Sequence, residues 1–281
     1  MLKNVYAKSW KILLFIPVAV LFISLGILGN NYLQTGSFIQ PDVELTGGKL
    51  ISFEVNEGVE LSELAAQFPE FSFRLTSGVR QILLVTVPFE TNETEVIESV
   101  TKVIDVEGTP TTQSIGPTIG KIFFQQAQTA LVAAFILMGI VVFIIFRKPV
   151  PSAMVLFAAG TDIIGTMGIM SLFGIKMSLP MIAALLALIG YSVDTDILLT
   201  TEVLKRKKEE MLQNIKKAAK TGLTMSLTTI VAMIPVYFVT SSFVLQTIAL
   251  VIIIGLTFDI FTTWLTNVGM LRWWMEKKAA P

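Results

Sequence analysis

The chain has 281 residues, 53% of them hydrophobic and 15% charged, with a formal net charge of zero and a mean hydropathy of +0.72. That composition belongs to integral membrane proteins and carries no basic footprint for nucleic acid. Cysteine and histidine are both absent, which excludes disulfides, thiolate chemistry, Ser-His and Cys-His machinery and histidine-held zinc or haem. The expectation is a non-enzyme with no cofactor and no metal.

Lys3, Lys8 and Lys11 precede a first apolar run, Ile12 to Leu28, long enough to span a bilayer. It reads as an uncleaved anchor rather than a signal peptide, because it exceeds a signal core in length and Gly-Asn-Asn-Tyr offers no small-residue cleavage site. From Gln34 to Lys121 the composition becomes that of a water-soluble domain. The patterning predicts a strand over Lys49 to Val55 and a short helix over Leu61 to Phe68 opened by Glu60. Two strands, Phe71 to Thr76 and Gln81 to Val87, flank the turn Ser77-Gly78. A helix over Thr94 to Ile104 and a strand over Thr109 to Ile115 complete a β-α-β-β-α-β order, which predicts a ferredoxin-like α+β domain. Phe71 and Phe73 are expected in its core.

Five further apolar runs follow: Thr129 to Phe146, Ser152 to Phe173, Leu179 to Leu199, Leu223 to Thr240 and Phe243 to Val268. The expected organisation is a first transmembrane helix over 1–33, an α+β domain over 34–121, and a five-helix bundle over 122–281 with a basic loop at 202–220. Six crossings place both termini on one side. The N-terminal lysines, Arg147-Lys148, the Lys205–Lys220 segment, Arg272, Lys277 and Lys278 share that side, against only Lys121 and Lys176 on the other. By the positive-inside rule the termini are cytoplasmic and the soluble domain lies outside, in a multi-pass protein of the cell membrane.

The apolar runs contain acids. Asp162 falls near the middle of the third crossing, Asp194 and Asp196 late in the fourth, and Asp259 in the sixth. Thr262, Thr263 and Thr266 lie at i+3, i+4 and i+7 from Asp259 and share its face. Thr221, Thr224 and Thr228 line one side of the fifth crossing, with Lys220 at its edge. Asp194 and Asp196 point about 200° apart on a helix. Ser192, Asp196 and Thr200 form one line, and Tyr191, Asp194 and Leu198 the other. Being deeper, Asp194 is expected at the bundle interior and Asp196 against a second helix or partner subunit. An acid at mid-membrane costs about 3 kcal/mol on insertion scales, whereas interhelical hydrogen bonds in membranes average about 0.6 kcal/mol. Purely structural acids are therefore disfavoured against an ion or proton relay. Gly160, Gly165, Gly168 and Gly190 are read as helix-packing positions, and Pro235 as a kink.

Paired intramembrane aspartates also suit an aspartyl protease, but Asp194 follows Gly-Tyr-Ser-Val rather than Gly-x-Gly. A proton-coupled half-unit of the resistance-nodulation-division kind, moving a small molecule or lipid, is a further alternative. More specific motifs run the length of the chain. Asp42-Val-Glu-Leu-Thr-Gly-Gly48 resembles the Asp-Phe-x-Gly-Gly element of the SecD/SecF protein-export family. Ile115-Gly-Pro-Thr-Ile-Gly120 resembles its Val-Gly-Pro-x-Val-Gly entrance to the second crossing. Ala184 to Asp194 is similar to its fourth-crossing signature, Ser226-Leu-Thr-Thr229 to its fifth, and Asp162 matches its third-crossing aspartate. Length and a single small outer domain resemble the SecF members, and the details resemble their archaeal type. Bacterial members read Gly-Tyr-Ser-x-Asn-Asp-Thr where this chain has acids on either side of Thr195. Their arginine early in the fifth crossing falls here at Thr221, beside Lys220.

The resemblance implies a partner of SecD and of a SecYEG-type channel, an unfolded preprotein as cargo, and an ion gradient as the energy source. It implies relay roles for Asp194, Asp196, Asp162 and Asp259, with Thr195, Thr221, Thr224, Thr228 and Lys220 supporting. Asp42, Gly47, Gly48, Gly116, Pro117 and Gly190 fall in its motifs. Gly47-Gly48 is read as a tight turn and Pro117 as a hinge between domain and second helix.

Overall fold

A computed structural model describes residues 10–56, 59–76, 81–205, 211–240 and 242–277. Lys3, Lys8, the predicted Ser77-Gly78 turn, Arg206 to Lys208 and Lys278 lie outside the described residues. Among the described residues, six helices are long and apolar enough to cross a membrane, and a four-stranded antiparallel sheet with three helices, one of them a single turn, stands between the first and second of them.

The first crossing is α1 (Trp10–Thr35). A one-turn helix, α2 (Val43–Thr46), leads into β1 (Gly48–Val55). Then come α3 (Leu61–Gln67), β2 (Ser72–Thr76), β3 (Gln81–Val87), α4 (Glu93–Thr101) and β4 (Val106–Ile115). The sheet order is β2-β3-β1-β4, every neighbour antiparallel, as the ferredoxin-like reading requires. Strand alternation divides β1 between two cores. Ile51, Phe53 and Val55 join Leu83, Val85, Val87 and the helix residues Leu64, Val96 and Val100 on one face. Phe71 and Phe73 pack against this cluster, Phe71 stacked on Phe68 and Phe73 tilted against it, so their core assignment holds. Leu50, Ile82 and Leu84 face the other way, onto Val43 of α2 and Phe243 at the start of the last crossing. The sheet's second face is thus the one seated on the membrane bundle.

The remaining crossings are α5 (Pro117–Phe146), α6 (Pro149–Leu172), α7 (Leu179–Lys205) and α8 (Met211–Val239). The last consists of α9 (Phe243–Phe261), a π-helical segment (Thr262–Asn267) and α10 (Val268–Lys277). Pro117 explains why α5 starts twelve residues before its apolar run: proline at the first helical position lacks only an N–H that would be unbonded anyway. The segment expected as a basic loop over 202–220 is mostly helical, because α7 runs on through Lys205 and α8 begins at Met211. Helix α8 is also continuous through Pro235.

Helices α6, α7 and α9 form the centre of the bundle, with α1 packed on α6 and on the π segment. Small residues permit the contacts. A Cβ on Gly165 would come within 2.3 Å of the Phe258 ring, and one on Gly168 within 2.5 Å of Ser24 on α1. Gly190 does not act this way: it is exposed and nothing lies within 4 Å of its would-be Cβ.

Candidate functional site: a buried carboxylate cluster

Asp162, Asp196 and Asp259, from α6, α7 and α9, are all 0% exposed and meet in the bundle core. Their partners are almost all hydroxyls. Ser192 Oγ donates to Asp162 Oδ2 at 2.5 Å, and Thr262 Oγ1 donates to Asp162 Oδ1. Thr195 Oγ1 lies 3.2 Å from Asp259 Oδ2, and Thr263 Oγ1 lies 3.0 Å from Asp259 Oδ1. Thr263 Oγ1 is also 3.1 Å from Asp196 Oδ1, which accepts from Asn267 Nδ2 at 2.6 Å. Asp259 interacts electrostatically with both other acids. Among the described residues, no lysine or arginine is found in ion-pair contact with any of the three.

This arrangement has a definite chemical capacity. A hydroxyl carries one proton and can accept more. Thr263 therefore donates to Asp259 or to Asp196, and its second contact becomes a hydrogen bond when that carboxyl is itself protonated and donates. Thr195 similarly spends its proton on the Ser192 carbonyl at 2.8 Å, leaving its oxygen to accept from a protonated Asp259. The chain Asp196–Thr263–Asp259 can pass a proton by swapping donors, with Asp162 held beside it through Ser192 and Thr262.

The face expected for α7 is reversed. Asp196, with Ser192 and Thr200, is buried, whereas Asp194 is exposed together with Tyr191. Depth does not select a face; side-chain bulk does. Met181, Leu185, Leu188 and Leu199 lie on the Asp196 side and fill the core, while Ala183, Ala187 and Gly190 lie on the Asp194 side. Thr195 joins the cluster through its hydroxyl oxygen, 3.2 Å from Asp259 Oδ2. Lys220, Thr221, Thr224 and Thr228 do not: they are exposed, and Thr224 and Thr228 bond to carbonyls of their own helix. The side of α8 that faces inward is Asn214, Ala218, Gly222 and Ser226.

Asn267 had no signal in the α-helical reading. Eight residues beyond Asp259, it would sit about 80° off that face in an α-helix. The π segment, with its wider i→i+5 winding, turns Asn267 back onto Asp196. It also buries Thr262, Thr263, Thr266 and Asn267 together. Among the described residues, Asp196 Oδ2, Thr200 Oγ1, Thr266 Oγ1 and Asn267 Oδ1 are buried oxygens without a protein partner.

At the other end of α7, the motif residues form a packed crossing. Asp42 caps α2 by accepting from Val43 N at 2.9 Å and pairs with Arg74 of β2 at 3.1 Å. Gly47 has φ +87°, and a Cβ there would meet Pro117 Cα at 2.4 Å. A Cβ on Gly120 would meet Gly47 N at 2.6 Å. Gly116 and Pro117 are the N-cap and first residue of α5. Gly47, Pro117 and Gly120 are therefore in close contact, and Gly48 continues into β1. Glu44, which the sequence reading passed over, is 6% exposed and accepts from Leu179 N at 2.7 Å. Burial pushes its carboxyl above the ordinary range, with the nearby Asp42 adding to the effect and the Leu179 N–H opposing it.

A six-helix membrane bundle with acids linked at its core and a ferredoxin-like domain between its first two helices defines a multi-pass membrane protein. Comparison with known proteins narrows the class. Residues 95–277 match the family described as protein export membrane protein SecD/SecF, C-terminal. The chain is 42% identical to the protein-export membrane protein SecF of Methanothermobacter thermautotrophicus, over 97% of this chain and 95% of that one. It is 39% identical to the SecF of Pyrococcus furiosus, over 99% and 95%. The crystal structure of SecDF from Thermus thermophilus, a translocon-associated membrane protein, superposes with a TM-score of 0.76 at 20% identity. That alignment covers 98% of this chain and 41% of that one, and at such identity the likeness is one of fold. The chain belongs to the SecD/SecF family of protein-export membrane proteins, on its SecF side and with archaeal relatives. The family is one of translocation proteins, not enzymes.

Proposed function

We propose that the chain acts with a SecD-type partner to promote preprotein translocation across the cytoplasmic membrane, driven by an ion gradient that discharges through Asp196, Asp259 and Asp162. The observation that carries this reading is the Thr263 hydroxyl placed between two fully buried carboxyls. Protonation of a carboxyl removes a buried charge and reverses the direction of the hydrogen bonds around it, so the packing of α7 against α9 depends on which acid holds the proton. The unpartnered oxygens of Asp196, Thr200, Thr266 and Asn267 are where water or an incoming ion would enter. Positive-inside charge puts the termini in the cytoplasm and the sheet domain outside.

The exposed line of Asp194 on α7 and the threonine face of α8 would be covered by the partner, since a carboxylate facing lipid is costly. The outer domain would meet the emerging preprotein near a SecYEG-type channel. No nucleotide-binding loop is visible in the sequence, which leaves the gradient as the energy source. The test uses the two-subunit complex in vesicles carrying an imposed proton gradient. Export should be stimulated by the gradient, lose that stimulation with an uncoupler, and lose it equally in Asp259→Asn. Stimulation that survives in Asp259→Asn would refute the relay.

A further inference from the structure

Helix α7 begins with Leu179-Pro180-Met181, and its first-turn donors are satisfied with one exception to local capping. Pro180 has no N–H. Met181 N reaches Ser178 Oγ at 3.4 Å and Ile182 N bonds to the Ser178 carbonyl at 3.1 Å. Leu179 N is bonded instead by Glu44, from 135 residues earlier in the chain, at 2.7 Å. A carboxylate at a helix N-terminus is also favoured by the helix dipole.

Around this contact the connection is continuous. Asp42 N bonds to the Met177 carbonyl at 2.7 Å, and Met177 N to the Gln40 carbonyl at 2.8 Å, so Pro41 and Met177 pair as in a parallel sheet. Leu45 packs with Ile182 and Ala127, joining α2 to α7 and α5. On the domain side, Arg74 of β2 holds Asp42, and Lys176 Nζ reaches Ser72 Oγ at 3.2 Å. Helix α7 itself is unbroken from Leu179 to Lys205. Asp196 lies seventeen residues along it, about 25 Å from the docked end.

We propose that Glu44 is a positioning residue: it clamps the N-terminus of α7 to the base of the sheet domain, so that domain and acid-bearing helix move as one body. This rests on the gradient-driven export reading above, and adds to it the route by which a change at Asp196 reaches the outer domain. Such a clamp is a physical connection through a rigid element with few joints, the kind of coupling that a packed helix can transmit.

The chain's lack of cysteine makes the test clean. Bridge partners such as Pro41 and Met177 sit at strand spacing, about 4.8 Å, within the Cα range a disulfide needs. The export complex in gradient-carrying vesicles is compared as wild type, Glu44→Gln, Glu44→Ala, and each with the oxidised pair Pro41→Cys/Met177→Cys. Glu44→Gln keeps an acceptor oxygen and should stay within about twofold of wild type in gradient stimulation. Glu44→Ala should lose at least about fivefold, with hydrogen exchange over residues 179–182 about tenfold faster and gradient-free export unchanged. Oxidising the staple in Glu44→Ala should restore stimulation to within about twofold, reversibly with reductant, and should leave wild type active. The proposal is overturned if Glu44→Ala exports like wild type, if the staple fails to rescue it, if the staple stops the wild type, or if Glu44→Gln is as impaired as Glu44→Ala. Should Glu44→Ala not fold, the stapled wild type and Glu44→Gln still decide. If the unmodified complex shows no gradient stimulation, the export reading fails, while exchange at 179–182 still reports the clamp.

Discussion

The reversed face of α7 makes a sharp prediction, because Asp194 and Asp196 are two residues apart yet stand in opposite environments. In Asp196→Asn the amide carbonyl can occupy the Oδ1 position and keep the bonds from Asn267 Nδ2 at 2.6 Å and Thr263 Oγ1 at 3.1 Å. Its NH2 then falls where Oδ2 already has no protein partner. Nothing is displaced, so the expected change in stability is below about 1 kcal/mol, the scale of one neutral hydrogen bond. What is lost is the capacity to take up and release a proton. Asp196→Leu, by contrast, leaves the buried Asn267 amide unanswered while Thr263 keeps Asp259 as its acceptor, and should cost about 1–3 kcal/mol. The assay is gradient-stimulated export beside thermal unfolding of the purified protein. Asp196→Asn should unfold like wild type while its stimulation falls at least tenfold; Asp194→Asn should retain more than half. If Asp194→Asn abolishes stimulation and Asp196→Asn preserves it, burial was the wrong guide to the carrier.

Gly120→Ala places a methyl 2.6 Å from the Gly47 backbone nitrogen and 3.1 Å from Thr46 C. Because backbone cannot rotate aside, α2 and α5 must separate, at about 1–3 kcal/mol of stability; unchanged denaturant unfolding would contradict the close crossing. Glu44 predicts a pH dependence with a definite sign. Its carboxyl is raised above the ordinary 4.5, so its contribution to the docked state is complete below about pH 4.5 and declines as pH rises through the raised value. Asp42 lies beside it, Arg74 pairs with Asp42, Lys176 feels the charges of both Asp42 and Arg74, and Lys121 on α5 is exposed. Hydrogen exchange at residues 179–182 should therefore quicken with outer pH relative to Glu44→Gln, once the intrinsic pH dependence of exchange is divided out; an identical profile in the two would refute the titration.

Much of this protein was legible in one dimension because local periodicity answers local questions. Apolar length defines a span, alternation defines a strand, and the order of four strands and two helices leaves few sheet topologies. The acids were equally visible, since charge in an apolar run is conspicuous wherever it lies. What the sequence left open was direction. Asp194 and Asp196 have the same composition around them, and only the packing of Leu185 and Leu188 against α9 decides which one turns inward. Asn267 reaches Asp196 through a change in helical winding that a fixed 100° step does not anticipate. Glu44 caps a helix 135 residues away, a contact that exists only once the sheet domain has been seated on the bundle. Sequence alone determined that buried acids exist and how many crossings carry them. The tertiary structure decided which acids share hydroxyls and what holds their helix, because those depend on side-chain volume at helix crossings and on contacts between distant segments.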